Sequence, residues 1–115
     1  MKTFLICPVR GHAQSEFEEI VRHLEEGGWK VHYPPRDTEQ NDPTGFAICW
    51  DNLSAIHAAD TVHVVWDGKS QGCLFDLGMA FALGKKIIVV SLPEQSEGKS
   101  FQNMIREWEH QQGYL

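Results

Sequence analysis

The chain has little cysteine, little positive charge and no long apolar run, and each shortage removes a class of protein. Its three cysteines, Cys7, Cys49 and Cys73, are odd in number and form no CxxC pair. Neither a disulfide framework nor a cysteine zinc site is expected from them. Each sits in or beside an apolar stretch, as reduced core thiols do, which points to a cytoplasmic protein. Ten Lys and Arg stand against sixteen Asp and Glu, for a formal charge of -6. That balance is wrong for holding a nucleic-acid polymer, whose phosphates reward clustered cations. No apolar run approaches the roughly 20 residues of a membrane span. Met1–Val9 leads too soon into polar residues to be expected as a secretory leader. The histidines at 12, 23, 32, 57, 63 and 110 form no HxH or HExxH pair, so no metal is expected. No GxGxxG follows the first apolar run, which argues against a dinucleotide fingerprint.

What is present is a folded globule. The 115 residues are 42% hydrophobic, with four Trp and six Phe, enough for one core and one domain, residues 1–115. Thr3–Val9 reads as a buried strand. Ser15 opens a helix carrying Phe17, Ile20, Val21 and Leu24, with Ser15 and Glu18 spaced as a capping box and Gly27–Gly28 as the stop. Trp29–Tyr33 alternates like an edge strand, and Pro34–Pro43 reads as loop. Thr44 is placed to cap a helix over Gly45–His57, with Phe46, Cys49, Trp50, Leu53 and Ile56 forming its apolar side and Asp51 well off it. Thr61–Trp66 is a third strand. The polar loop Asp67–Gly72 then opens a helix with Phe75, Leu77, Met79, Phe81 and Leu83, apolar on nearly every side and so expected to be buried. Lys86–Ser91 is strand four, and Ser100 caps a last amphipathic helix whose Trp108 suits a docking or dimer contact.

Four strands alternating with four helices, joined by connections too long for hairpins, mean βαβ units with right-handed crossovers. The expected fold is a three-layer, flavodoxin-like doubly wound α/β domain, with helices on both faces of a four- or five-stranded parallel sheet in order 2-1-3-4. No clear fifth strand is visible, which leaves the last edge for a neighbouring subunit to complete.

In such sheets ligands bind beyond the carboxyl ends of the strands, where the winding reverses between strands one and three. Two loops lie there, Pro8–His12 and Asp67–Gly72. The first offers Arg10, a planar cation, and Gly11, which lets backbone approach a ligand. The second offers Ser70, Gly72 and a helix N-terminus, together an anion cradle. Asp76, about one turn into that helix, leans back toward the loops. It is either a catalytic acid or a helix-start acid worth about 0.3–1 kcal/mol. Asp51 is either a second carboxylate of the site or part of a solvated face. Two acids across a small pocket suit chemistry at an acetal-type carbon. Tyr33 and Trp50 are candidates to stack on a base, or are ordinary packing.

ICPVRG at Ile6–Gly11, Ile20–Val21 with Leu24 and Gly28, Asp51 upstream of Ala59–Asp60, and SQGCLFDLGMAFALGKKIIVV at Ser70–Val90 resemble the nucleoside 2-deoxyribosyltransferase superfamily. Within it the likeness is closest to the 2'-deoxynucleoside 5'-phosphate N-hydrolases. The resemblance implies that Asp76, in Asp-Leu-Gly-Met-Ala, occupies the place of the glutamate nucleophile that forms a glycosyl-enzyme intermediate. It also implies that Asp51 takes the place of the aspartate that positions substrate and manages protons. Ser70, six residues before Asp76, and Arg10–Gly11 match the phosphate side of the hydrolases. The implied activity is cleavage or transfer at the N-glycosidic bond of a (deoxy)nucleoside 5'-monophosphate or nucleoside, with no cofactor, in a homodimer or higher homo-oligomer. Asp in place of Glu is shorter by one methylene, roughly 1.5 Å of reach. The alternative is a non-catalytic nucleotide-binding or sensing module that keeps the cleft.

Overall fold

Four short runs rich in Phe, Leu, Ile and Val build the centre of the molecule. In the computed structural model, which describes residues 1–112, they form β1 (Lys2–Ile6), β2 (Lys30–His32), β3 (Thr61–Val65) and β4 (Lys86–Ser91). All pair in parallel in the order β2-β1-β3-β4. Every residue of β3 is buried, as expected for a central parallel strand covered on both faces. The connections are helical: α1 (Gln14–Glu26), a single turn α2 (Pro34–Asp37), α3 (Phe46–Ala58), α4 (Gln71–Ala82) and α5 (Phe101–Gln111).

The period-2 alternation of the strands divides the core in two. Phe4, Ile6, Val62, Val64 and Ile87 face Ile56 of α3, Leu77 and Ala80 of α4, and Ile105 and Trp108 of α5. Leu5, Cys7, Val31 and Val65 face Phe17 and Val21 of α1. The winding therefore reverses between β1 and β3, and the loops leaving those two strands meet at one end of the sheet.

Several local expectations are corrected. Helix α1 begins after Ala13, without a side-chain cap; Ser15 lies inside the first turn, and its capping box does not form. Gln14 ties this start to the preceding loop instead, donating to the Val9 carbonyl at 2.9 Å. The stretch Pro34–Pro43 is not all loop, because Pro34 at the first helical position and the Asp37 carboxylate, which accepts the Tyr33 N–H at 2.8 Å, close one helical turn. The cap residue of α3 is Gly45 at φ 83° rather than Thr44. Asp42 reaches over it to accept the Ile48 N–H at 3.0 Å. Helix α4 is not enclosed: Cys73, Leu77 and Ala80 are buried, but Phe75 and Phe81 are 59% and 58% exposed. Trp108 is core, buried edge-on against Phe81.

The outer edge of β4 is not left for a neighbour to pair. The Gln112 side chain accepts the Ile87 N–H at 2.8 Å and donates to the Ile87 carbonyl at 3.0 Å, and Glu109 accepts the Val89 N–H. Glu109 of α5 and Gln112 just after it thus satisfy three backbone groups that a fifth strand would otherwise take.

Candidate active site

The two loops at the reversal point are joined by a bond between residues that the sequence places 55 apart. His12 Nε2 meets Asp67 Oδ2 at 2.7 Å. The other Asp67 oxygen accepts the N–H groups of Lys69 and Ser70, each at 2.8 Å, closing the turn before α4. Burial alone would raise the Asp67 pKa, but these backbone donors and His12 outweigh it and hold the carboxyl at about 2. Nothing local in the sequence singles out the pair. Its only signal is that both residues stand just past strands that prove to be neighbours.

Ser70 is the N-cap of α4, its Oγ accepting the Cys73 N–H at 3.2 Å. The Ser70 hydroxyl hydrogen stays available, and the amides of Gln71 and Gly72 need no intrahelical partner. The Ser70 carbonyl is pinned by Trp66 Nε1 at 3.0 Å. On the loop after β1, Arg10 is exposed, with no ion-pair partner among the described residues. Gly11 turns the chain at φ 76°, a conformation that a Cβ atom disfavours.

Asp76 lies in the second turn of α4, only partly exposed. Burial pushes its pKa up to about 7, and the Asn52 side chain draws it part of the way back. Its negative charge is felt by the thiols of Cys7, Cys49 and Cys73, each already raised mainly by burial, Cys7 and Cys73 to about 12. The groups that Asp76 influences or is influenced by come from three elements: Cys7 just past β1, Cys49 and Asn52 of α3, and Cys73 of α4. Among the described residues no group of three or more His, Cys, Asp or Glu is gathered to hold a metal ion.

Asp51 is exposed on α3, where its charge favours the protonated form of His32. It is the next residue, Asn52, that is buried at 5% exposure and that acts on the Asp76 carboxyl. Asn52 was legible as a polar residue spaced i, i+4 with Ile56. The bulk of Phe46 and Trp50 drew the apolar stripe to the other side of the helix, yet these two are 73% and 60% exposed and stack on each other with ring centroids 6.4 Å apart. Tyr33 is buried, its hydroxyl donating to Gln14 at 2.6 Å. An open concavity of about 940 Å³ lies elsewhere, along α5 between Lys99, Phe101, Arg106 and His110, and none of the residues above lines it.

A parallel α/β sheet with a partly buried acid and a helix N-terminus at its reversal point is the class that this geometry defines. The chain belongs to the nucleoside 2-deoxyribosyltransferase family, whose pattern matches residues 4–106. No curated protein sequence matches it. Among solved structures it is similar to a CMP N-glycosidase, BcmB, of Clostridium botulinum, at 22% identity and a TM-score of 0.67 over 96% of this chain and 82% of that one. It is also similar to a 2-deoxyribosyltransferase of Bacillus psychrosaccharolyticus, at 21% identity and a TM-score of 0.73 over 100% of this chain and 93% of that one. A 2-desoxiribosyltransferase of Leishmania mexicana gives 21% identity and a TM-score of 0.62 over 87% and 79%. These likenesses establish the shared fold.

Proposed function

We propose that the chain is an enzyme that cleaves the N-glycosidic bond of a (deoxy)nucleoside 5'-monophosphate, or of a nucleoside, with Asp76 as the reacting carboxylate. The observation that carries this reading is the setting of Asp76. It is a half-buried acid at the family's nucleophile position, with a pKa of about 7, just inside a helix start beside the phosphate-type cradle. Ionised Asp76 attacks C1′ on the face opposite the base. The C–N bond breaks, its electron pair leaves with the base, and the base takes up a proton. Water, or a second base in a transfer reaction, then attacks the resulting ester at C1′ and frees the carboxylate. Arg10, Gly11, Ser70 and Gly72 hold the phosphate end, where the exposed guanidinium, the free hydroxyl hydrogen and the first amides of α4 suit an anion. Asp51 stands at the exposed rim, and Asn52 takes the inner position that a second acid was expected to fill.

The exposed Phe46, Trp50, Phe75 and Phe81 on α3 and α4 support a homo-oligomer in which a second copy covers that face. Trp50→Glu is expected to shift the sedimenting species to monomer. Unchanged sedimentation of an oligomeric wild type would remove α3 from the interface.

The central test is chromatography of free base released from a panel of deoxy- and ribonucleoside 5'-monophosphates and nucleosides. Release is expected with a monophosphate, and Asp76→Ala abolishes it; release that survives the substitution takes Asp76 out of the mechanism. The shorter acid favours one other reading, binding without turnover. It predicts no base released, while a nucleotide at 100 times its Kd adds about 2.7 kcal/mol to stability.

A further inference from the structure

We propose that His12 is a positioning residue for the 5'-phosphate of the substrate. Bonded to Asp67, it latches the loop after β1 onto the turn before α4, so that Arg10 and the first amides of α4 act on one anion. This role deepens the proposed monophosphate activity and rests on it for the identity of the ligand.

The two sides of the latch are held very differently. On the α4 side, Asp67 accepts the N–H groups of Lys69 and Ser70, Trp66 Nε1 donates to the Ser70 carbonyl at 3.0 Å, and Ser70 Oγ accepts the Cys73 N–H at 3.2 Å. Gly68, at φ 80°, is backed by Pro93, whose Cγ would stand only 2.9 Å from a Cβ there. The Pro93 carbonyl in turn accepts from Arg106 Nη2 at 2.6 Å. This turn is fixed from within and from the β4 side. On the β1 side, Val9, Arg10, Gly11 and Ala13 are exposed, and His12 alone of that stretch is partly buried, its ring 5.8 Å from that of Phe17. Among the described residues, 8–12 make two hydrogen bonds. Gln14, donating to the Val9 carbonyl, ties the loop only to the helix that follows it. The 2.7 Å bond from His12 Nε2 to Asp67 Oδ2 is the one that crosses to α4.

Although burial opposes it, the donors from Ser70, Lys69 and His12 hold the Asp67 carboxyl at about 2, so at neutral pH it can only accept. His12 Nε2 is therefore the donor, in the imidazolium and in the neutral tautomer alike, and the latch does not come and go with the charge of the ring. Arg10 stands two residues before His12, and Ser70 three after Asp67. One bond thus ties the stretch that carries the exposed guanidinium to a turn that is already rigid. A phosphate then meets donors in set positions and does not have to order a loop for itself. A nucleoside brings no anion to this end and gains nothing from the latch.

Base release is compared for a deoxynucleoside 5'-monophosphate and the matching nucleoside. If the freed loop places Arg10 correctly about a tenth of the time, His12→Ala raises KM for the monophosphate about tenfold. KM for the nucleoside, and kcat for both, should change less than about twofold. His12→Gln, whose amide nitrogen can take the place of Nε2, should recover the monophosphate KM. In an Arg10→Ala background His12→Ala should add less than about twofold, since no guanidinium is left to position. If His12→Ala does not fold, His12→Asn, too short to reach Asp67, carries the same expectations. A wild type without preference for the monophosphate, an equal loss on both substrates, an unmoved KM, or an undiminished effect in the Arg10→Ala background overturns the role of His12. If the wild type releases no base, calorimetric titration with the monophosphate decides. A Kd about tenfold weaker in His12→Ala leaves the latch standing and overturns the activity alone. An unchanged Kd, or no binding to the wild type, overturns the latch.

Discussion

Asp76 is held in a place that disfavours its own charge, so replacing it with Asn should make the protein more stable while removing its activity. The folded pKa of about 7 stands about 3 units above the ordinary 3.8. At 1.36 kcal/mol per unit this is about 4 kcal/mol of differential interaction, taken as an upper bound. Between pH 3.8 and about 7 the native state binds a proton that the unfolded chain has released. The stability contributed by this group therefore falls as pH rises through that window and is flat above it. Asn has the shape of the protonated acid and carries no charge at any pH, so the gap between Asp76→Asn and wild type isolates the effect. Urea unfolding followed by tryptophan fluorescence, run from pH 5 to 8.5, should show the variant ahead throughout. The gap should widen by about 2–3 kcal/mol across that range. His32 and His63, whose pKa values burial lowers, change stability in the opposite direction, gaining as pH rises toward 6.5, but they are common to both proteins and cancel. A gap that stays constant with pH, or a wild type that is the more stable of the two at pH 8, would refute the placement of a buried, poorly compensated acid at this position.

Three further expectations follow from the loops and thiols. Ser70→Ala should cost about 1 kcal/mol through the lost cap, and should raise KM for a monophosphate more than for the matching nucleoside in the base-release assay. Asp67→Ala leaves the N–H groups of Lys69 and Ser70 and the His12 ring without their acceptor; a loss of about 2 kcal/mol is expected in urea unfolding at pH 7. The Asp67 contribution is present above the unfolded carboxyl pKa of 3.8 and is lost as pH falls toward about 2. With iodoacetamide at pH 7.5, mass spectrometry should find Cys49, the half-buried thiol, labelled first. Cys7 and Cys73, buried and raised to about 12, should react only on unfolding.

The parts of the molecule that were legible in the sequence are those whose signal is local. Thr61–Val65 and Lys86–Ser91 are runs of β-branched residues long enough to be strands and too short to be helices, and their alternation with helices implies the parallel pairing found, in the expected order β2-β1-β3-β4. Ser100 caps α5 as its spacing to Asn103 suggests. Illegible were the features in which a distant residue intervenes. Asp42, three residues before Gly45, shares the work expected of Thr44 alone, accepting the Ile48 N–H while Thr44 Oγ1 accepts that of Phe46 at 3.3 Å. His12 and Asp67 bond only because the sheet makes neighbours of two strands far apart in sequence. On α3 and α4 hydrophobicity by itself misleads, since Phe46, Trp50, Phe75 and Phe81 are as apolar as core residues yet point outward. Asp76 was expected about one turn into its helix and lies in the second turn, but nothing local showed that Asn52 would be buried on α3 while Asp51 is exposed.

The way α5 seals β4 restricts how copies of this chain can meet. A parallel sheet ordinarily offers its terminal strand as a template on which another chain can pair, and aggregation starts there. Here Gln112 and Glu109 occupy the rungs at Ile87 and Val89, and the opposite margin, β2, is only three residues long. Ribbon-like growth is blocked at one border and given little purchase at the other. Copies of this chain are therefore expected to meet through helix faces rather than by extending the sheet.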